Sequence, residues 1–366
     1  MSDTLLVSTR KGLFWVRRGG GRWDIDHVDF LGDNVTLTTT DPRDGRHYAA
    51  LDHGHFGVKL HRWEDGRWDE MASPTYPPKP EGLEENDMWG RPIAWSTARI
   101  WALRAGGDDE PGVIWCGTLP GGLFRSSDNG ESWEIVRSLW DHPKRRMWMG
   151  GGADLPGIHS ILVDPRNSQR IWIAVSTGGI WFTENGGSDW VQRGEGMRAD
   201  HVPPELTNDP IAQDVHCLAQ CANAPERMWV QHHNGIFVSS DEGRTFTEIT
   251  DVAPSTFGFP VFVHPRDPDT AWFVPGIKDE LRIPHDGQLV VTRTRDGGRT
   301  FEKLTSGLPQ KHAYDIVYRH GLDIDGSGDR LAFGSTTGGL WVSEDQGDTW
   351  ENIANTLPPV YAVRFA

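Results

Sequence analysis

Histidine gives this sequence its widest chemical reach, because a neutral imidazole can both ligate divalent cations and move protons near pH 7. The chain carries 15 of them, and several are grouped: His53 and His55 stand two apart, His232 and His233 are adjacent, and His159 and His216 each open an apolar run. This pattern predicts a divalent-cation site drawn from His53, His55, His159, His216 and His233. His159, His216 and Asp315 are the candidates for proton transfer or other catalytic work. Arg91, Arg99, Trp140, His142 and Tyr314 offer the guanidinium, indole and phenol groups that line sites for small polar ligands such as sugars. Each histidine also has a plainer reading as a loop cap, and no H-E-x-x-H spacing marks a metal-binding helix. Asp87, Asp141, Asp154, Asp214 and Asp315 would serve a two-carboxylate glycosidase, though no spacing singles out a pair.

The elements that must position these groups are repeated. A segment of the form glycine, apolar or aromatic strand, turn, closing aromatic recurs seven times, with closing aromatics at Trp23, Trp68, Trp133, Trp190, Phe246, Phe301 and Trp350. Their separations of 45 to 65 residues suit one four-stranded propeller blade plus variable loops. The expected fold is therefore an all-β, seven-bladed β-propeller with four-stranded blades, forming a single domain over residues 1–366. LLVST near the start matches a second blade strand and VYAVRFA at the end matches a first one. One blade is then closed by both the N- and C-terminal strands, which hides a sheet edge.

In a blade of this order the connections fall into two sets, one on each face of the ring. The turns DPRDGRH, DPRNSQR and HPRDPDT are compact, whereas long insertions near 72–97, 138–158, 194–214 and 275–287 share the other face with ten of the histidines. Long ordered loops on one side of a rigid scaffold commonly build a site. The same loops carry Trp89, Trp95, Trp140 and Trp148, which either line a ligand site or plug the insertions onto the ring.

Five of the seven turns read Ser/Thr-x-Asp/Asn-x-Gly-x-(Ser/Thr/Asp)-aromatic, as in Ser126, Asp128, Gly130, Ser132 and Trp133. This resembles the Asp-box, or BNR repeat, of sialidases, sortilin-type receptors, xyloglucanases and a photosystem-assembly factor, all of them propellers. The segments SLWDHPKRRMWMGGG, GIHSILVDPRN, GEGMRADHVPPEL and FGFPVFVHPRDPDT further resemble a bacterial group labelled sialidase-like or glycosyl-hydrolase-like. The resemblance implies a carbohydrate-like ligand and either a hydrolase or lyase assisted by a divalent metal ion, a sialidase-like glycosidase, or a non-catalytic propeller that binds a small ligand or protein partner.

Composition narrows the partners. With 36 Lys and Arg against 52 Asp and Glu, a net charge of −16 opposes the phosphate neutralisation that drives nucleic-acid binding. The opening residues MSDTLLVSTRKGLFWV lack the basic and apolar regions of a secretory signal, and no apolar run is long enough to cross a membrane, so a cytoplasmic location is expected. Cys116, Cys217 and Cys221 have neither zinc-knuckle nor redox spacing and read as buried thiols.

Overall fold

The computed structural model describes residues 1–151 and 153–366. The chain is a seven-bladed β-propeller: among the described residues, seven four-stranded antiparallel sheets account for nearly all of the regular structure. The longest α-helical turn among those residues is Arg137–Trp140, inside the insertion predicted near 138–158. Contacts group the chain into two compact units, Met1–Thr40 with His216–Glu242 and Phe246–Ala366, and Asp41–Val215 with Gly243–Thr245.

In the first unit, strands Thr4–Thr9, Gly12–Gly19 and Arg22–Asp29 share a sheet with the C-terminal strand Val360–Phe365, as the terminal sequences predict. Leu5 faces Phe365, Leu6 faces Arg364 and Val7 faces Val363 in antiparallel register. The alternating apolar residues of these strands bury Leu5, Val7, Val16, Trp23, Val360 and Val363 in one core. The same unit holds the sheet of Gly258–Val263, Ala271–Pro275, Val291–Thr294 and Glu302–Leu304, whose first strand frames the site described below. In the second unit, Gly157–Asp164, Asn167–Ser176, Gly179–Thr183 and Val191–Arg193 form a sheet around Ile158, Ile173, Trp181 and Trp190.

Tyr314 and Asp315 lie ahead of the first strand of their sheet, which begins at Leu322. His312 adopts a left-handed φ of 56°, and a turn closes from the Gly321 amide to the Tyr318 carbonyl at 2.8 Å. Both interrupt an extended run, so 313–321 packs as an irregular segment with Ile316 and Val317 buried.

The repeated turns are held by their own side chains. The Ser126 hydroxyl donates to Asp128 Oδ1 at 2.7 Å and accepts the Gly130 amide at 2.8 Å, while Asp128 accepts the Ser132 amide and hydroxyl at 2.9 and 2.6 Å. Thr294, Asp296, Gly298 and Thr300 repeat the pattern, as do Ser343, Asp345, Gly347 and Thr349. The hydroxyl and amide of Thr300 hold the Asp296 carboxyl down at about 2, and the Ser132 hydroxyl likewise lowers that of Asp128. A carboxyl depressed in the folded chain stabilises it above the ordinary value of 3.8 and loses that contribution as pH falls towards about 2. The melting temperature should therefore decline through this acid window, and Asp296→Asn should make the decline shallower. Parallel melting curves of the two proteins from pH 5 to pH 2 check this; identical slopes would refute it.

Candidate functional site

The structure brings together two of the five histidines predicted as ligands. His216 lies in strand Val215–Cys221, and His233 follows strand Ala224–His232. Their rings meet edge to face with centroids 5.5 Å apart. His216 is 2 % exposed and stacks on Phe259 at 4.7 Å and 17°. Its Nδ1 lies 2.7 Å from the carbonyl oxygen of Gly258, which can only accept, so Nδ1 carries a proton and Nε2 is the ring atom that a neutral imidazole would offer to a cation. That is the orientation a second hydrogen bond imposes on a ligating imidazole.

Asp214 stands two residues before His216 in the sequence. The Asp214 carboxylate is closely approached by glycine backbone: a Cβ on Gly151 would stand 2.8 Å from Oδ1 and 2.9 Å from Oδ2. Any larger residue at 151 would fill the space beside the carboxylate.

Aromatic and cationic side chains surround the pair. Phe257 meets His216 at 5.9 Å, His233 at 6.3 Å and Phe259 at 5.5 Å, and Tyr318 sets its ring on edge 5.5 Å from Phe259. The guanidinium carbons of Arg282 and Arg319 lie 5.3 and 5.6 Å from the Phe259 centroid. Sequence reasoning gave no ligand-binding role to the phenylalanines or to these arginines. The visible signal was FGFP at 257–260, an aromatic pair flanking a glycine, and its partner His216 lies some forty residues earlier.

The remaining sequence-predicted residues lie elsewhere. His53 occupies the N-cap position of the short helical turn Gly54–Phe56 without a side-chain capping bond, and His55 packs on Phe56 at 3.9 Å. His159 is buried against Trp101 at 5.6 Å, with Nδ1 3.0 Å from the Ser160 hydroxyl. His142 accepts the Lys144 amide through Nδ1 at 3.2 Å and packs on Trp181; burial, then the charge of Lys144, lowers its pKa. Trp140 is 2 % exposed, with Arg145 stacked 3.8 Å above it and the rings of Tyr76 and Trp95 at 4.9 and 5.0 Å. Its indole thus anchors the insertion, the plugging role weighed for the loop tryptophans.

Arg91 forms ion pairs with Asp87 at 2.6 Å and Asp154 at 2.8 Å, and Arg99 stands 4.0 Å from Asp52. Tyr314 is 59 % exposed. The carboxylate of its neighbour Asp315 accepts the hydroxyls of Ser335, at 2.6 Å, and Thr337.

No known family profile matches the chain. A probable oligoxyloglucan-reducing end-specific xyloglucanase of Neosartorya fischeri is 25% identical over 224 residues, covering 54% of this chain and 26% of that protein. The chain thus spans about a quarter of that relative's length. Among solved structures, an ancestral GH74 enzyme superposes with a TM-score of 0.60 at 16% identity, covering 88% of this chain and 39% of the other. YCF48 bound to D1 peptide superposes with a TM-score of 0.54 at 12% identity, covering 87% and 81%. No helix among the described residues is long and apolar enough to cross a membrane. By blade count, strand order and these likenesses, the chain is a seven-bladed β-propeller whose fold resembles that of a GH74 enzyme and YCF48.

Proposed function

We propose that the chain is a carbohydrate-acting hydrolase or lyase that works at His216 and His233 with a divalent cation held by these imidazoles. The observation that carries this reading is the meeting of the two imidazoles, ring centroids 5.5 Å apart, with Nδ1 of His216 fixed by the Gly258 carbonyl. Imidazole donors suit Zn²⁺ or Mn²⁺, and a site with few protein ligands leaves positions for water and substrate. When bound, such a cation polarises a substrate oxygen or acidifies a water. The Gly258 carbonyl fixes the tautomer of His216, and Phe257 and Phe259 confine its ring, so its Nε2 is presented without further reorganisation. The similarity to a xyloglucanase supports a saccharide as the substrate class. The repeated turns fit the Asp-box type on this reading and contribute stability rather than chemistry.

Metal analysis after incubation with Zn²⁺ or Mn²⁺ tests the proposal, with melting curves and a reducing-end assay on an oligosaccharide panel. We expect one cation per chain and a stabilisation of about 2.7 kcal/mol at a hundredfold excess over Kd. His233→Ala, at a half-buried position, removes a ligand outright and should weaken cation binding by more than the ~10–100-fold that loss of an outer-shell partner costs. Absence of bound cation, with no shift in melting, would overturn the metal site. A bound cation with no turnover on any saccharide would leave a binding propeller in place of an enzyme.

A further inference from the structure

His233 stands in a two-residue turn, between His232 at the end of strand Ala224–His232 and Gly235 at the start of strand Gly235–Ser239. Within that turn the Asn234 amide donates to His232 Nδ1 at 3.1 Å, so His232 serves the turn while His233 meets His216. A functional constellation holds its geometry to within about 0.5 Å only when neighbouring groups lock it. So short a turn needs a tie to the segment across the site.

Gln231 supplies that tie. Its side chain is 1 % exposed, and its Nε2 donates towards three carbonyl oxygens. Those of His232, at 3.1 Å, and Gly235, at 3.3 Å, lie on either side of the turn, and that of Thr256, at 2.9 Å, lies across from it. The other end of the carboxamide abuts Gly258, where a Cβ would stand 3.3 Å from Oε1. Gly258 is the residue whose carbonyl accepts from His216 Nδ1, and Phe257, between Thr256 and Gly258, meets both imidazoles. An amide NH2 has two protons for these three acceptors, so at least one bond is shared. Without the donor, three carbonyl oxygens crowd together in a buried space, and their repulsion separates the turn from 256–258.

We infer that Gln231 is a positioning residue: its carboxamide joins the turn that carries His233 to the segment that orients His216, and so sets the spacing of the two imidazoles and the tautomer of His216. The consequence for cation binding rests on the proposed function.

Histidine-selective ¹⁵N NMR of the cation-free full chain at about pH 8 reads the His216 tautomer, and calorimetry with Zn²⁺ reads the pair. Gln231→Met keeps the length and loses the donor. It should move the His216 ring from the Nδ1–H form towards a mixture of tautomers and weaken Zn²⁺ binding by about 10–100-fold, the effect of losing an outer-shell partner. Gln231→Asn keeps a carboxamide but withdraws it by one methylene; it should show the same changes to a smaller degree, and it covers the case in which the larger change unfolds the chain. Gln220→Met is the control, since Gln220 lies in strand Val215–Cys221 with His216 and its Nε2 donates to the Pro225 carbonyl at 2.7 Å. It should lower the melting temperature while the His216 spectrum and the Zn²⁺ affinity stay those of the parent chain. A parent-like His216 spectrum in the folded Gln231 variants, or the same spectral change in Gln220→Met, would overturn the positioning role. No Zn²⁺ binding by the parent chain, with the tautomer still altered in Gln231→Met, would overturn the cation reading alone and uphold Gln231 as the group that orders the histidine pair.

Discussion

Deleting Val360–Ala366 is expected to leave the protein insoluble or to lower its melting temperature by more than roughly 10 °C. The C-terminal strand is the edge partner of Thr4–Thr9, and its removal leaves five registered pairs of that strand without their backbone partners. Val360, Ala362 and Val363 are completely buried, and a large buried apolar residue contributes about 1.5–3 kcal/mol. Two such valines, together with the cavity left among Leu5, Val7 and Val16, cost a large share of the ~5–15 kcal/mol that holds a typical domain together. The bared edge of Thr4–Thr9 would also template aggregation. Urea titration and circular dichroism measure the effect, with Val363→Ala as a milder version worth about 2 kcal/mol. An unchanged melting temperature after the deletion would mean that the terminal sheet contributes nothing to the fold.

The terminal sheet was legible in the sequence because its two parts, LLVST and VYAVRFA, match different strands of an otherwise complete repeat. The turns were legible for the same reason: Ser126, Asp128 and Gly130 satisfy one another within five residues, so local spacing carries their geometry. The site was not legible in this way. His216 and His233 stood among ten histidines of similar loop context. What separates them is the stacking of His216 on Phe259 and its hydrogen bond to Gly258, both some forty residues away and aligned by sheet neighbours rather than by chain spacing. Arg319 was missed because a lone arginine after a tyrosine has no motif. Trp140 was read as ligand-facing because composition cannot distinguish an indole offered to a sugar from one stacked under Arg145.

Gly338→Ala is expected to destabilise the chain by about 2–5 kcal/mol, combining the ~1–2 kcal/mol of a left-handed backbone with the ~1–3 kcal/mol of overpacking. Gly338 has φ +90°, and a Cβ there would stand 1.9 Å from the carbonyl oxygen of Leu357 and 2.9 Å from its carbon. The Leu357 amide is bonded to the Gly338 carbonyl at 3.1 Å, so the clash cannot be relieved by sliding one strand past the other without breaking that bond. The same turn ties the Val360 amide to the Ser335 carbonyl at 3.0 Å and presents Ser335 and Thr337 to Asp315, so the change propagates to the start of the terminal strand. Gly326→Ala is the control, since no atom lies within 4 Å of its Cβ and its φ is not left-handed; it should change stability by less than about 0.5 kcal/mol. Asp315→Asn then separates two roles for that carboxylate. As an anchor of this turn it lowers the melting temperature and combines less than additively with Gly338→Ala. As an acid or base it would abolish turnover with the melting curve unmoved, and its commitment to two hydroxyls makes the anchor the expected result.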